Sequence, residues 1–279
     1  MYFIKKINNN VALAKDENSI EWILLGKGIG FGKEVDSLIE SKEIDRRFKA
    51  QGELENHQSI SNIINQINGN TLQLATDVSD QVAEYLGIEF SNYNYLALAD
   101  HLNFALERTK QGNNYPNEFR WEVQSLYPKE YQAAEKSLDY IKERTNIELP
   151  KSELTFFTYH YVSAQNKETP LEDTIELTAM VNQILEIISY HFQMKLDSSS
   201  MNYARFLTHL RYFMIRQLKH DTDSKDLDPM IGSVIKEKYP RAYEAANKIR
   251  VYLKTTKKWN ISNNEMMYLT LHIWRLTRE

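Results

Sequence analysis

Hydrophobic residues change their rhythm near residue 55. Before it, Phe3 to Ile7, Val11 to Ala14 and Ile20 to Leu25 are short, partly alternating runs of β-favouring residues, the pattern of strands in a small sheet. Turn-type clusters, Asn8-Asn9-Asn10 and Asp16-Glu17-Asn18-Ser19, separate them. The runs predict an antiparallel sheet, to which Ile44 to Lys49 adds a fourth strand after the charged stretch Glu34 to Glu43, although that segment would also suit a short helix. From about residue 60 the spacing turns to three and four, as in Leu98, Leu102, Ala105 and Leu106, or Ile184, Ile187 and Ile188, which predicts long amphipathic helices. Thr169-Pro170-Leu171-Glu172 reads as an N-cap with proline in the first turn, opening a new helix.

The helical part is a duplication. Tyr127-Pro128-Lys129-Glu130-Tyr131-Gln132-Ala133-Ala134 recurs as Tyr239-Pro240-Arg241-Ala242-Tyr243-Glu244-Ala245-Ala246, an offset of 239 − 127 = 112 residues. The same offset carries Glu153 onto Glu265, Leu154 onto Met266 and His160 onto His272. Upstream, Asp100-His101-Leu102 resembles Thr208-His209-Leu210 at an offset of 108, with the four extra residues falling in polar loops around 111–117 and 221–229. Loops are where a duplicated helical domain tolerates insertions. The expected fold class is therefore α+β and multidomain: a small four-stranded antiparallel β domain at 1–55, a linker at 56–65, and two homologous all-α helical-bundle domains at 66–170 and 171–279.

Composition narrows the function classes. The 279 residues are 42% hydrophobic and 26% charged, with no cysteine, so disorder and disulfide scaffolds fall away. No apolar run approaches the roughly 20 residues of a membrane span, and charge follows rather than precedes the short apolar start Met1-Tyr2-Phe3-Ile4-Lys5-Lys6, so a cytoplasmic protein without membrane insertion is expected. The net charge of −4 gives no global attraction to nucleic acid; any such partner must meet a local surface. One local basic edge exists, since the first fifteen residues hold three lysines and no acid.

Four of the seven histidines, His101, His160, His209 and His272, occupy equivalent places in the two copies. A neutral imidazole can carry protons, ligate a metal or accept a phosphoryl group. The absence of H-E-x-x-H, of cysteine and of carboxylates at ligand spacing weakens the metal reading, and no cofactor is implied. Asp100 beside His101 has no carboxylate counterpart in the second copy, where Thr208 stands. Gly26-Lys27-Gly28-Ile29-Gly30-Phe31-Gly32 satisfies neither the dinucleotide nor the P-loop pattern; glycine at every second position of an extended or bent strand would let another backbone approach closely. Asn8, Asn9 and Asn10 suit a hairpin turn, or the reading of base edges, beside an exposed Phe31 that can stack on an unpaired base and Lys5 or Lys27 that can meet phosphate.

Taken in order, I-N-N-N-V at 7–11, G-K-G-I-G-F at 26–31, D-H-L at 100–102, the two Y-P motifs and the His160 and His272 segments resemble the sugar-operon transcriptional antiterminators of the BglG/SacY type. The resemblance spans the chain. It implies a dimeric four-stranded co-antiterminator module that grips a hairpin in the leader of nascent mRNA and prevents terminator formation, followed by two phosphotransferase-system (PTS) regulation domains, with no enzymatic activity. By motif match it implies an RNA surface of Asn8, Asn9, Asn10, Gly26, Gly28 and Phe31, with Lys5 and Lys27 as further contacts. It implies phosphorylation of His101, His160, His209 and His272 by the phosphocarrier HPr and a sugar-specific PTS permease. Arg211 and Arg275 lie near the second-copy histidines, where the first copy has Asn103 and Ser163, so the copies are expected to respond differently. The competing class is a helical metal- or histidine-dependent enzyme whose N-terminal sheet binds protein or DNA. His57, His191 and His220 fall outside the repeat and read as structural or solvated.

Overall fold

A computed structural model describes residues 1–50, 60–113, 121–165, 170–218 and 229–278. The N-terminal strands β1 (Tyr2–Asn8), β2 (Val11–Lys15), β3 (Glu21–Leu25) and β4 (Arg46–Lys49) form an antiparallel sheet in the order β1-β2-β3-β4. Asn8 pairs with Val11 to close the first hairpin on Asn9 and Asn10. Asp16 organises the second hairpin, its carboxylate accepting from the Asn18 and Ile20 amides and from the Trp22 indole at 3.0 Å. The segment after the charged stretch is a strand, because pairing from Trp22↔Lys49 to Leu25↔Arg46 satisfies backbone groups that an isolated helical turn would leave open.

Both faces of this sheet are dry. Phe3, Ala12, Ala14 and Leu24 face a small core closed by Ile29 and Ile39. On the opposite face Val11, Ile23, Leu25 and Phe48 are also buried, because helices of the first copy pack there: the Phe48 and Tyr95 rings are 6.1 Å apart and the Arg46 guanidinium lies 4.3 Å from the Tyr95 centroid. Arg46 also donates to Ser79 Oγ at 3.0 Å. Burial raises the Tyr95 phenol to about 12, so it stays neutral beside that cation.

Helices α1 (Ile60–Gln66), α2 (Gly69–Leu86), α3 (Asn92–Lys110), α4 (Trp121–Leu126), α5 (Pro128–Thr145) and α6 (Glu153–Gln165) build the first copy; α7 (Leu171–Phe192), α8 (Met201–Leu218), α9 (Pro229–Lys238), α10 (Pro240–Lys257) and α11 (Asn263–Thr277) build the second. Residues 60–65, expected as linker, are therefore helical, while 56–59 lie outside the described residues, as do Thr169 of the proposed cap and most of the two insertion loops. The chain divides into two compact units, Met1–Leu171 and Glu172–Glu279, so the sheet and the first helical copy share one unit.

The repeat is visible in the caps. Tyr127 and Tyr239 are N-caps with nearly the same backbone angles, each followed by proline in the first turn of α5 or α10, and those helices end 112 residues apart on left-handed Asn146 and Lys258. Proline suits that first turn because its missing N–H has no intrahelical partner to lose. In α7 the buried residues are Thr174, Thr178, Met180, Val181, Ile184 and Ile188, so Ile184 and Ile188 of the predicted spacing lie in the core. The Thr178 hydroxyl donates to the Thr174 carbonyl at 2.8 Å, which lets a threonine be buried there.

Candidate functional site

The asparagine turn and the glycine-rich stretch form one surface. Gly26 N–H donates to the Asn10 carbonyl and Gly30 N–H to the Asn9 carbonyl, both at 3.1 Å. The Asn10 side chain accepts from Gly28 N–H at 3.0 Å and donates to the Gly69 carbonyl at the start of α2 at 3.1 Å. Asn8 accepts from the Asn10 amide, and Asn9 from Lys6 Nζ. The glycine stretch is not the extended or bent strand that alternate glycines suggest. It turns after β3, with Ile29 N–H bonded to Gly26 O and Phe31 N–H to Gly28 O, and with Gly28 and Gly32 at φ of 70° and 66°. Close backbone approach does hold: a Cβ on Gly26 would lie 2.0 Å from the Glu43 carbonyl oxygen, and one on Gly30 2.2 Å from that of Asn8.

Phe31 at the tip is 74% exposed, an aromatic ring with no core to fill. Lys27 and Asn9 are exposed, and Asn8 and Asn10 are half-buried. Lys5 is exposed on β1 opposite Leu13. Asn10 and Lys27 border a cleft of about 720 Å³ whose far wall carries Lys110 and Arg144 on the helical copy, along with the acids Asp77 and Glu107.

The four repeated histidines meet in two pairs. His101 on α3 faces His160 on α6, ring centroids 5.0 Å apart; His209 on α8 faces His272 on α11 at 4.3 Å. Both arise from one pattern, since each histidine follows an apolar residue at i−3 (Leu98, Phe157, Phe206, Leu269) that is buried in the packed face. His160 is buried, and desolvation together with the His101 charge holds its pKa well below the usual value. His272 is pulled down to about 4 by burial, then by the charges of His209 and Arg275.

The surroundings of the pairs differ. In the first, His101 Nε2 lies 2.8 Å from Glu153 Oε2, and the other oxygen of this fully buried carboxylate takes the Arg108 guanidinium. In the second, the equivalent Glu265 accepts from Gln217 Nε2 at 2.7 Å and closes the α11 capping box with Ser262. There the His209 ring is held through Nδ1 by the Tyr268 hydroxyl at 2.6 Å. Phe156 takes that place in the first copy, its ring 5.6 Å from His101. Asp100 is exposed, so the carboxylate on the His101 ring comes from the facing helix rather than from the adjacent residue.

Glu153, Arg108 and Tyr268 were missed by sequence reasoning as site residues. A signal existed: His101 to Arg108 and Glu153 to His160 are both seven apart, as are His209 to Arg216 and Glu265 to His272, two helical turns that return to one face. Outside the repeat, His191 bonds the Arg241 carbonyl at 2.9 Å and Lys248 at 3.0 Å, a structural role; His57 and His220 lie outside the described residues. Among the described residues no group of three or more His, Asp or Glu side chains converges as a metal site, and no helix is long and apolar enough to cross a membrane.

Comparison with known proteins places these features in a class. Residues 1–57 match the CAT RNA binding domain family, and residues 76–164 and 182–276 each match the PRD domain family. Over its whole length the chain is 30% identical to the transcription antiterminator LicT of Bacillus subtilis, covering all of that protein. It is 31% identical to the beta-glucoside operon antiterminator of Dickeya chrysanthemi and 34% identical to the PtsGHI operon antiterminator of Bacillus subtilis, covering 98% of each. A crystal structure of GlcT CAT-PRDI superposes with a TM-score of 0.52 at 33% identity, over 59% of this chain and 98% of that one. The chain belongs to the family of transcription antiterminators that join a CAT RNA-binding domain to PRD regulatory domains.

Proposed function

We propose that this chain binds a hairpin in the leader of nascent sugar-utilisation mRNA, keeps the overlapping terminator from forming, and is switched by histidine phosphorylation. The observation that carries the reading is the coexistence, in one chain, of an RNA-binding domain whose asparagine and glycine turns make one surface and two PRD segments whose repeated histidines face each other in pairs. Phe31 would stack on an unpaired base, Asn8 and Asn9 would read base edges, Gly26 and Gly28 would shape the turn that lets the RNA approach closely, and Lys5 and Lys27 would meet phosphate. Asn10 would act by holding the turn, since both ends of its amide are already bonded within the chain.

The working form would be a cytoplasmic homodimer without catalytic activity, organised as the RNA-binding domain at 1–55, a connection over 56–65 whose second half is the start of helix α1, and regulatory domains at 66–170 and 171–279. HPr and a sugar-specific PTS permease would phosphorylate His101, His160, His209 and His272. A phosphoryl group adds roughly two negative charges, enough to repack a helical surface where Glu153 and Arg108 already balance a buried charge. The enzyme alternative rests on the histidine pairs alone.

Transcription through the cognate leader in vitro tests the reading. The full chain should raise read-through, Phe31→Ala should lose it, and phospho-HPr with the permease should change it. Read-through unaffected by the protein, with RNA binding also absent, would overturn it.

A further inference from the structure

We infer that the two regulatory domains accept phosphoryl groups on different ring nitrogens: His101 on Nδ1, and His209 on Nε2. The inference rests on the phosphorylation reading above and names the atom at each site. A nucleophilic imidazole nitrogen must present a lone pair, and in a neutral ring only one nitrogen does so.

In the first copy Nε2 is the wrong atom. A carboxylate only accepts hydrogen bonds, so the 2.8 Å contact with Glu153 Oε2 requires a proton on His101 Nε2. Arg108 fixes that carboxylate from its other oxygen, and Glu153 is fully buried, so it cannot swing to water. The lone pair is left on Nδ1. The aromatic neighbour at the position of Tyr268 is Phe156, which has no hydroxyl to block it.

In the second copy the blockage is reversed. Tyr268 Oη sits 2.6 Å from His209 Nδ1, and Glu265 is occupied by Gln217 and by its own helix cap. Burial raises the Tyr268 phenol, so it stays protonated near neutral pH. Whether the phenol donates to Nδ1 or accepts from Nδ1–H, that nitrogen presents no free lone pair, and the tautomer that leaves a lone pair open to attack is the one in which Nδ1–H donates to the phenol oxygen and Nε2 is free.

The transfer balances in both cases. The donor is a phosphohistidine protein whose phosphorylated ring is protonated on its second nitrogen. The acceptor lone pair attacks phosphorus, the new N–P bond forms as the donor N–P bond breaks, and the electron pair returns to the donor ring, which departs as neutral imidazole. The acceptor becomes an imidazolium that keeps its remaining N–H, against Glu153 in the first copy and against Tyr268 in the second.

The test uses the full chain phosphorylated by phospho-HPr or the phosphorylated permease domain, digested under alkaline conditions. Peptides carrying His101 and His209 are then probed with antibodies selective for 1- and 3-phosphohistidine, the Nδ1 and Nε2 isomers. The expected result is the 1-isomer at His101, the 3-isomer at His209, and appearance of the 1-isomer at His209 in Tyr268→Phe, a change that a merely structural tyrosine would not produce. Phosphate on the same nitrogen in both copies overturns the inference and leaves the phosphorylation reading standing; phosphate on neither copy overturns both. ¹⁵N spectra of the unmodified chain check the starting state without any donor: His101 should be the Nε2–H tautomer, and an Nδ1–H tautomer there would overturn its assignment.

Discussion

Asn10 Nδ2 donates to the Gly69 carbonyl at 3.1 Å while its Oδ1 accepts from Gly28, so one side chain ties the turn that presents Phe31 to the first turn of α2. Asn10→Ala removes both bonds and leaves a half-buried amide and carbonyl to find water. A loss of about 1–2 kcal/mol in the stability of the N-terminal unit is expected, readable by urea denaturation. Phe31→Ala should leave that stability within about 0.5 kcal/mol, as exposed positions do, yet weaken hairpin binding by about 1–3 kcal/mol, the usual worth of one stacked base. Equal effects of the two variants on stability would contradict this division.

The glycines of the same turn separate by what a methyl group would meet. Gly26→Ala and Gly30→Ala drive a Cβ into a backbone oxygen and should destabilise the sheet severely. Gly32→Ala meets open space and costs only its left-handed backbone, about 1–2 kcal/mol. Thermal melts of the three variants should fall in that order.

Glu153 carries two partners in a site without solvent, and Glu265 does not. Glu153→Ala strands the Arg108 guanidinium and should cost about 3–5 kcal/mol, whereas Glu265→Ala should cost about 1 kcal/mol or so, the worth of a helix cap. Denaturant titration of both variants checks the contrast, and similar losses would refute it.

His160 and His272 both titrate below the ordinary histidine value in the folded chain, His272 at about 4. The unfolded chain, with histidines near 6.5, therefore binds more protons between those values. Stability should be full above about pH 6.5, fall as pH drops towards about 4, and level off for His272 below that. His272→Gln should flatten this dependence in the C-terminal unit, as measured by urea midpoints across that range.

Lys258 holds the left-handed position that ends α10, where Asn146 ends α5. Lys258→Gly should stabilise the second unit by about 0.5–1 kcal/mol. An unchanged melting temperature would show that the lysine's weak contact with the Thr255 carbonyl offsets the strain.

The legibility of the chain follows the range of the interactions. The strands were readable because Asn8 to Asn10 and Asp16 to Ser19 punctuate alternating runs, and the repeat because Tyr127-Pro128 and Tyr239-Pro240 cap helices through local backbone angles. The pairing of His101 with His160 was implicit in the repeat. The difference between the pairs was not, because it depends on Glu153 and Tyr268 reaching across from facing helices, and the asymmetry anticipated at Arg211 and Arg275 directed attention to neighbours in sequence. Arg275 acts through its charge on His272. The glycine stretch misled because alternation suits both a strand and a pair of consecutive turns, and only the contacts with Asn9 and Asn10 decide between them.

Arg46 over Tyr95, Phe48 beside it and the Asn92 amide on the Arg47 carbonyl at 3.1 Å make the sheet and the first helical copy share a single interior. Heat capacity should record this. Three family-matched segments form two compact units, and a calorimetric scan should therefore resolve two endotherms, with the sheet's enthalpy inside the first copy's peak.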